Sequence, residues 1–122
     1  MPRRSLVRPS KAVRPRFRIY RGTEIAIGPG KEELLLAILD TGSIHGAAVR
    51  LKMSYMRAWK LVQTMNACFR APLVDTVRGG KHSGGAWLTP LGRRVLDLYL
   101  KLEKDSLATT RPTWNKILRE LK

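Results

Sequence analysis

Residues 43–69, SIHGAAVRLKMSYMRAWKLVQTMNACF, admit few folds, because two helical apolar repeats are separated by only a short break. Ser43 suits an N-cap, since its hydroxyl can satisfy an orphan amide, and Ile44, Ala47, Ala48 and Leu51 then recur at helical intervals. The small side chains of Ala47 and Ala48 let a second helix cross closely, where bulk would push the pair apart. Lys52 and Met53 read as the turn. Ser54 is a second N-cap, and after it Ala58, Leu61, Val62, Met65 and Phe69 trace one stripe at i, i+3, i+4, i+7 and i+11. This is the pattern of a helix-turn-helix whose second helix is the longer.

At about 100° per residue, Met56, Trp59, Lys60 and Gln63 fall on or near the face opposite that stripe, and Tyr55 and Arg57 flank it. Arg, Lys and Gln can donate to base edges, and a helix N-terminus attracts phosphate, so such a face suits a major groove. An ordinary helical hairpin with a solvated face would show the same two repeats. The charge distribution separates the two readings. The 122 residues hold 24 Lys and Arg against 9 Asp and Glu, a net charge of +15. Residues 1–21 carry eight basic side chains and no acid, and residues 44–94 carry nine opposed only by Asp75. Residues 22–43 hold one base and four acids. A merely solvated surface would mix the signs, so the excess on the arm and on the helix pair favours a polyanionic partner, double-stranded DNA before all.

The chain fits one domain with one modest core. Residues 1–16, rich in Arg and Pro without periodicity, read as a disordered arm. It could lie along phosphates, enter a minor groove or simply aid solubility. Phe17 to Ile27 alternates with period two and reads as one strand, which Gly22 could bend into a hairpin. Lys31 to Thr41 reads as a first helix with Leu34, Leu35, Ile38 and Leu39 inward, with Glu32 and Glu33 in the first turn where the dipole favours them, and with Gly42 closing it. The GPGK run lacks the first glycine and the Ser or Thr of a nucleotide loop, so no such site is expected there. Beyond Pro72, Leu73 to Val77 and Ala86 to Thr89 read as strands around a glycine-rich loop, RGGKHSGG, with Lys81 and His82 at its tip. Thr89 and Pro90 then open a helix running to about Asp105, on which Leu91, Val95, Leu98, Tyr99 and Leu102 form one stripe, with Leu96 and Leu100 off it. After Pro112, Trp114, Ile117, Leu118 and Leu121 lie on one face of a separate last helix.

Cys68 is the single cysteine, so no internal disulfide can form, and it reads as a packing residue of a protein from a reducing compartment. No run of apolar residues is long enough for a bilayer span, and the basic start lacks a signal-peptide core. No membrane association and a cytoplasmic location are expected. His45 and His82 are too isolated for a metal site, no catalytic acid pair or nucleophilic set has workable spacing, and no cofactor is implied. An enzyme is the weakest reading.

The stretch GPGKEELLLAILDTGSIHGAAVRLKMSYMRAWKLVQTMN, followed by GGKHSGGAWLTPLGRR, resembles the N-terminal DNA-binding domain of the ModE-type molybdate-responsive regulators and, more distantly, the LysR-type winged helix-turn-helix. The similarity runs from about Phe17 to Glu103. Its most specific parts are Ser54, Tyr55, Ala58, Trp59, Val62, Met65 and Asn66, with Leu88 to Pro90 after the glycine-rich loop. The resemblance implies a dimer that sets a recognition helix, 54–69, in each of two major grooves with a wing, 78–86, beside it. His82 and Ser83 depart from the family's wing pattern. The full regulators also carry a C-terminal oxyanion-binding module, and only Lys104 to Lys122 follow here, so molybdate binding is not expected of this chain.

The expected fold is mainly α with small β: a winged helix-turn-helix over 17–105, with an N-terminal strand, a β-hairpin wing and a long dimerisation helix, and then a C-terminal amphipathic helix over 106–122. Lys31, Ser43 and Ser54 are expected at phosphates, Tyr55, Arg57, Lys60 and Gln63 at or beside bases, and Lys81 and His82 at the wing. Leu91, Val95, Leu98, Tyr99 and Leu102 are expected in a homodimer interface. Two other functions fit the same composition: a non-specific nucleic-acid-binding protein, and a dimerising adaptor for a separate effector-binding chain.

Overall fold

The computed structural model describes residues 13–77 and 84–122. The chain runs β1 (Ile19–Arg21), β2 (Glu24–Ile27), α1 (Pro29–Thr41), α2 (Ile44–Leu51), α3 (Tyr55–Cys68), β3 (Val74–Val77), β4 (Gly85–Leu88) and α4 (Pro90–Leu118). Two antiparallel hairpins therefore bracket a three-helix unit, and α4 follows. This is a winged helix-turn-helix.

Residues 17–27 take the bent form of the expected strand, a hairpin of two strands. Gly22, at φ 61°, makes the turn, and Tyr20 faces Ile25 while Arg21 faces Glu24. α1 begins at Pro29, two residues before the apolar repeat suggests, since proline fits the first position of a helix, where its missing N–H costs nothing. Its end is as the sequence implies. Gly42 adopts the left-handed conformation and donates its N–H to the Ile38 carbonyl.

Leu34, Leu35 and Ile38 of α1, Ala47 and Ala48 of α2, and Ala58, Val62 and Met65 of α3 form one core with Ile27, Leu73, Ala86, Leu96 and Tyr99. The two alanines are fully enclosed where α2 meets α3, which is the close crossing their size permits. β3 and β4 pair with Val74 opposite Leu88 and Thr76 opposite Ala86. Three sets of hydrogen bonds hold this hairpin in place. The Ala86 amide donates to the Gly42 carbonyl at 2.9 Å. The Thr89 hydroxyl donates to the Pro72 carbonyl at 2.7 Å. The Asn66 side chain accepts from the Leu73 and Val74 amides at 2.8 and 3.1 Å and donates to the Val74 carbonyl at 3.0 Å.

Three expectations are corrected. The arm expected over 1–16 is shorter at its end, because Val13, Arg14 and Pro15 are buried; residues 1–12 lie outside the described residues. The break expected after Asp105 is absent. α4 continues to Leu118 with Pro112 inside it, and the Thr110 hydroxyl, which donates to the Ser106 carbonyl and accepts from the Trp114 indole, links successive turns around the proline. The inward face of α4 is Gly92, Leu96, Tyr99 and Glu103, so Leu96, placed off the stripe by sequence, is fully enclosed. The cause is Gly92: a side chain there would meet the Leu73 carbonyl oxygen, and this bare point lets α4 roll toward the hairpin until Leu96 and Tyr99 enter the core.

Candidate nucleic-acid interface

The helix-turn-helix is built by its two serines and by the residue between its helices. Ser43 Oγ accepts from the Gly46 amide at 2.8 Å, and Ser54 Oγ accepts from the Arg57 amide at 3.0 Å, so each hydroxyl satisfies an orphan donor at the start of its helix. Lys52 closes α2 in the left-handed conformation, φ 57°, with its N–H directed at the Ala48 and Val49 carbonyls. Arg50 pairs with Asp40, tying α2 to α1 on the surface.

α3 buries Ala58, Val62 and Met65 and turns Tyr55, Met56, Arg57, Trp59, Lys60 and Gln63 to solvent. The face divided by periodicity alone is thus the face observed. The four expected base-proximal residues, Tyr55, Arg57, Lys60 and Gln63, are all exposed on α3. Lys81 and His82 lie outside the described residues, while the strands that lead to them are in place.

Lys31 is not available to a phosphate. It is buried beneath the β1–β2 hairpin, and its ammonium donates to the Ile25 carbonyl at 2.6 Å. Burial pushes this ammonium below its ordinary pKa, against the opposing pull of Cys68 and Glu24. Its position in the first turn of α1 suggested solvent, but the hairpin folds over it. Glu32, expected to serve the helix dipole, is also enclosed, and it meets Arg14.

The five residues expected at a dimer interface divide. Tyr99 is inside the chain, where its hydroxyl donates to the Phe17 carbonyl at 2.6 Å. Leu91 and Val95 pack half-buried against the core. Leu98 and Leu102 alone of the five are exposed.

Sequence reasoning assigned no task to Arg14 and knew Asn66 only as part of a resemblance. Asn66 holds the hairpin to α3, and Arg14 joins α1 to α4. Neither contact has a spacing that could announce it.

A family model described as the bacterial regulatory helix-turn-helix protein, lysR family, matches residues 32–93. The chain is 43% identical over 85 residues to the molybdenum-pterin-binding protein MopB of Rhodobacter capsulatus, which covers 70% of this chain and 32% of that protein. It is 42% identical over 78 residues to the molybdenum transport protein ModE of Azotobacter vinelandii, covering 64% and 29%. It is 39% identical over 71 residues to the DNA-binding transcriptional dual regulator ModE of Escherichia coli K12, covering 58% and 27%. The chain therefore spans less than a third of these relatives' length. Among solved structures, full-length LTTR LysG from Corynebacterium glutamicum with bound effector Arg superposes with a TM-score of 0.54 at 24% identity, covering 78% of this chain and 30% of that one; the likeness is one of fold.

Proposed function

Because the chain belongs to the lysR family of bacterial regulatory helix-turn-helix proteins, we propose that it is a DNA-binding transcription regulator of the ModE type, acting on duplex DNA through α3. The observation that carries this is the exposed group Tyr55, Arg57, Lys60 and Gln63 on α3, on a chain of net charge +15. In this reading α3 enters the major groove, and Arg57, Lys60, Gln63 and Tyr55 read or flank bases. Ser43 and Ser54 set the helix N-termini toward phosphates, and Lys81 and His82 act from the wing.

The reading includes a homodimer. Beyond Glu103 the inward stripe of α4 repeats at the same spacing as Leu107, Trp114 and Ile117, outside the core that Leu96 and Tyr99 complete. A second copy of the chain would cover these residues together with exposed Leu98 and Leu102. Two-fold symmetry would then place half-sites about 34 to 36 Å apart, or a multiple of that. The same stripe fits the adaptor reading, in which a separate effector-binding chain covers it.

Selection from a random duplex pool tests the proposal. A preferred, nearly palindromic sequence is expected to emerge and to persist at raised salt, although about six to ten phosphate contacts would weaken affinity by roughly 10³ to 10⁵ between 50 and 200 mM. Simultaneous replacement of Tyr55, Arg57 and Lys60 by alanine should abolish the preference. Equal binding to all sequences would leave only the non-specific reading. Sedimentation of the chain alone distinguishes a homodimer from an adaptor that awaits its partner.

A further inference from the structure

We propose that Met56 reads sequence from α3 by contact with the 5-methyl group of thymine; the inference rests on the DNA-binding reading above. Counting about 100° per residue, Met56 sits roughly 160° around the helix from Ala58. It therefore opposes the buried line of Ala58, Val62 and Met65, and it is 56% exposed. Lys60 and Gln63 share this outward line, and Tyr55 and Trp59, 50% and 41% exposed, border it. An apolar, unbranched side chain thus occupies the middle of a face whose neighbours are cationic and polar on one side and aromatic on the other.

The charged members of that face are served by phosphates and base edges. Met56 is not, since its thioether is at best a weak acceptor. It gains only from an apolar surface offered by the same partner. On the floor of the major groove the exposed apolar group is the thymine methyl, and the minor groove presents none. Met56 is the second residue of α3, directly after the Ser54 cap and Tyr55, in the turn that reaches base edges in helices of this kind. Its flexible chain can follow a methyl whose position varies slightly between sites. Arg57 lies roughly 100° from Ala58 on the opposite flank, at the side of that face.

The test begins with the half-site selected from a random duplex pool. Each thymine is replaced singly by deoxyuridine, which removes the methyl and keeps the pairing edge. The unaltered chain is expected to lose about fourfold in affinity at one or two thymines, the effect of one apolar carbon left unburied. Met56→Ala should bind the thymine and uracil duplexes equally, while Met56→Leu keeps the difference. Tolerance of uracil at every position, or undiminished discrimination by Met56→Ala, overturns the inference. Tolerance of uracil by the unaltered chain overturns the inference even if Met56→Ala failed to fold. A chain that selects no sequence sinks the DNA-binding reading and this inference with it, whereas a selected site with dispensable methyls sinks this inference alone.

Discussion

The Arg14 guanidinium donates to the Glu32 carboxylate at 2.8 Å, with side chains 6% and 0% exposed. The same Nη2 lies 3.8 Å from Glu103 on α4, so one cation from the segment before β1 joins the first and last helices of the domain. Desolvating these groups is costly, and the attraction between the guanidinium and the carboxylates offsets part of that cost.

Arg14→Ala should therefore cost about 3 to 5 kcal/mol, measured by urea unfolding, because it leaves two carboxylates in the interior without this cation. Glu32→Gln should cost less, since Glu103 remains beside the guanidinium. Equal stability of Arg14→Ala and the unaltered chain would remove Arg14 from the interior.

Tyr99 supplies a pH dependence with a definite sign. Burial, reinforced by the nearby negative charges of Glu103 and Glu32, pushes its phenol up to about 12 from an ordinary value of 10.0. A folded-state value above the unfolded one means that the contribution is complete below pH 10 and is lost as pH rises through about 12. Unfolding titrations across this window should show stability falling. Tyr99→Phe should remove this component and, by leaving the Phe17 carbonyl without its donor, cost about 1 to 3 kcal/mol at neutral pH.

Asn66 couples α3 to Leu73 and to Val74 at the start of β3 through three hydrogen bonds. Asn66→Ala deprives two amides and a carbonyl of partners and should cost about 1 to 3 kcal/mol. Amide exchange should accelerate first at Leu73 and Val74. Unchanged protection there would show that the hairpin is held by other contacts.

Lys52 occupies left-handed backbone at φ 57°, a conformation that costs a residue bearing a Cβ about 1 to 2 kcal/mol. Lys52→Gly should raise stability by up to about 1 kcal/mol, with thermal unfolding shifted upward by a few degrees. Gly92→Ala should do the reverse and far more strongly, because its new Cβ would lie 2.0 Å from the Leu73 carbonyl oxygen. Normal folding of that variant would mean that α4 can shift away from the hairpin.

The helix-turn-helix, the division of α3 into buried and exposed faces and both serine caps were legible in the linear chain, because each depends on residues three or four positions apart. Local hydrogen bonding and helical periodicity act over that range, and Ser43, Ser54, Ala58, Val62 and Met65 obey them. The fate of Lys31, the inward turn of Tyr99, the burial of Arg14 and the clamp of Asn66 were decided only in three dimensions. Each joins groups distant in sequence or covered by another element: a hairpin closes over a lysine, a tyrosine reaches a carbonyl 82 residues away, and an arginine finds a carboxylate 18 residues on. Desolvation, not spacing, selected those pairings, because a polar group taken from water must find a partner wherever the packed chain puts one.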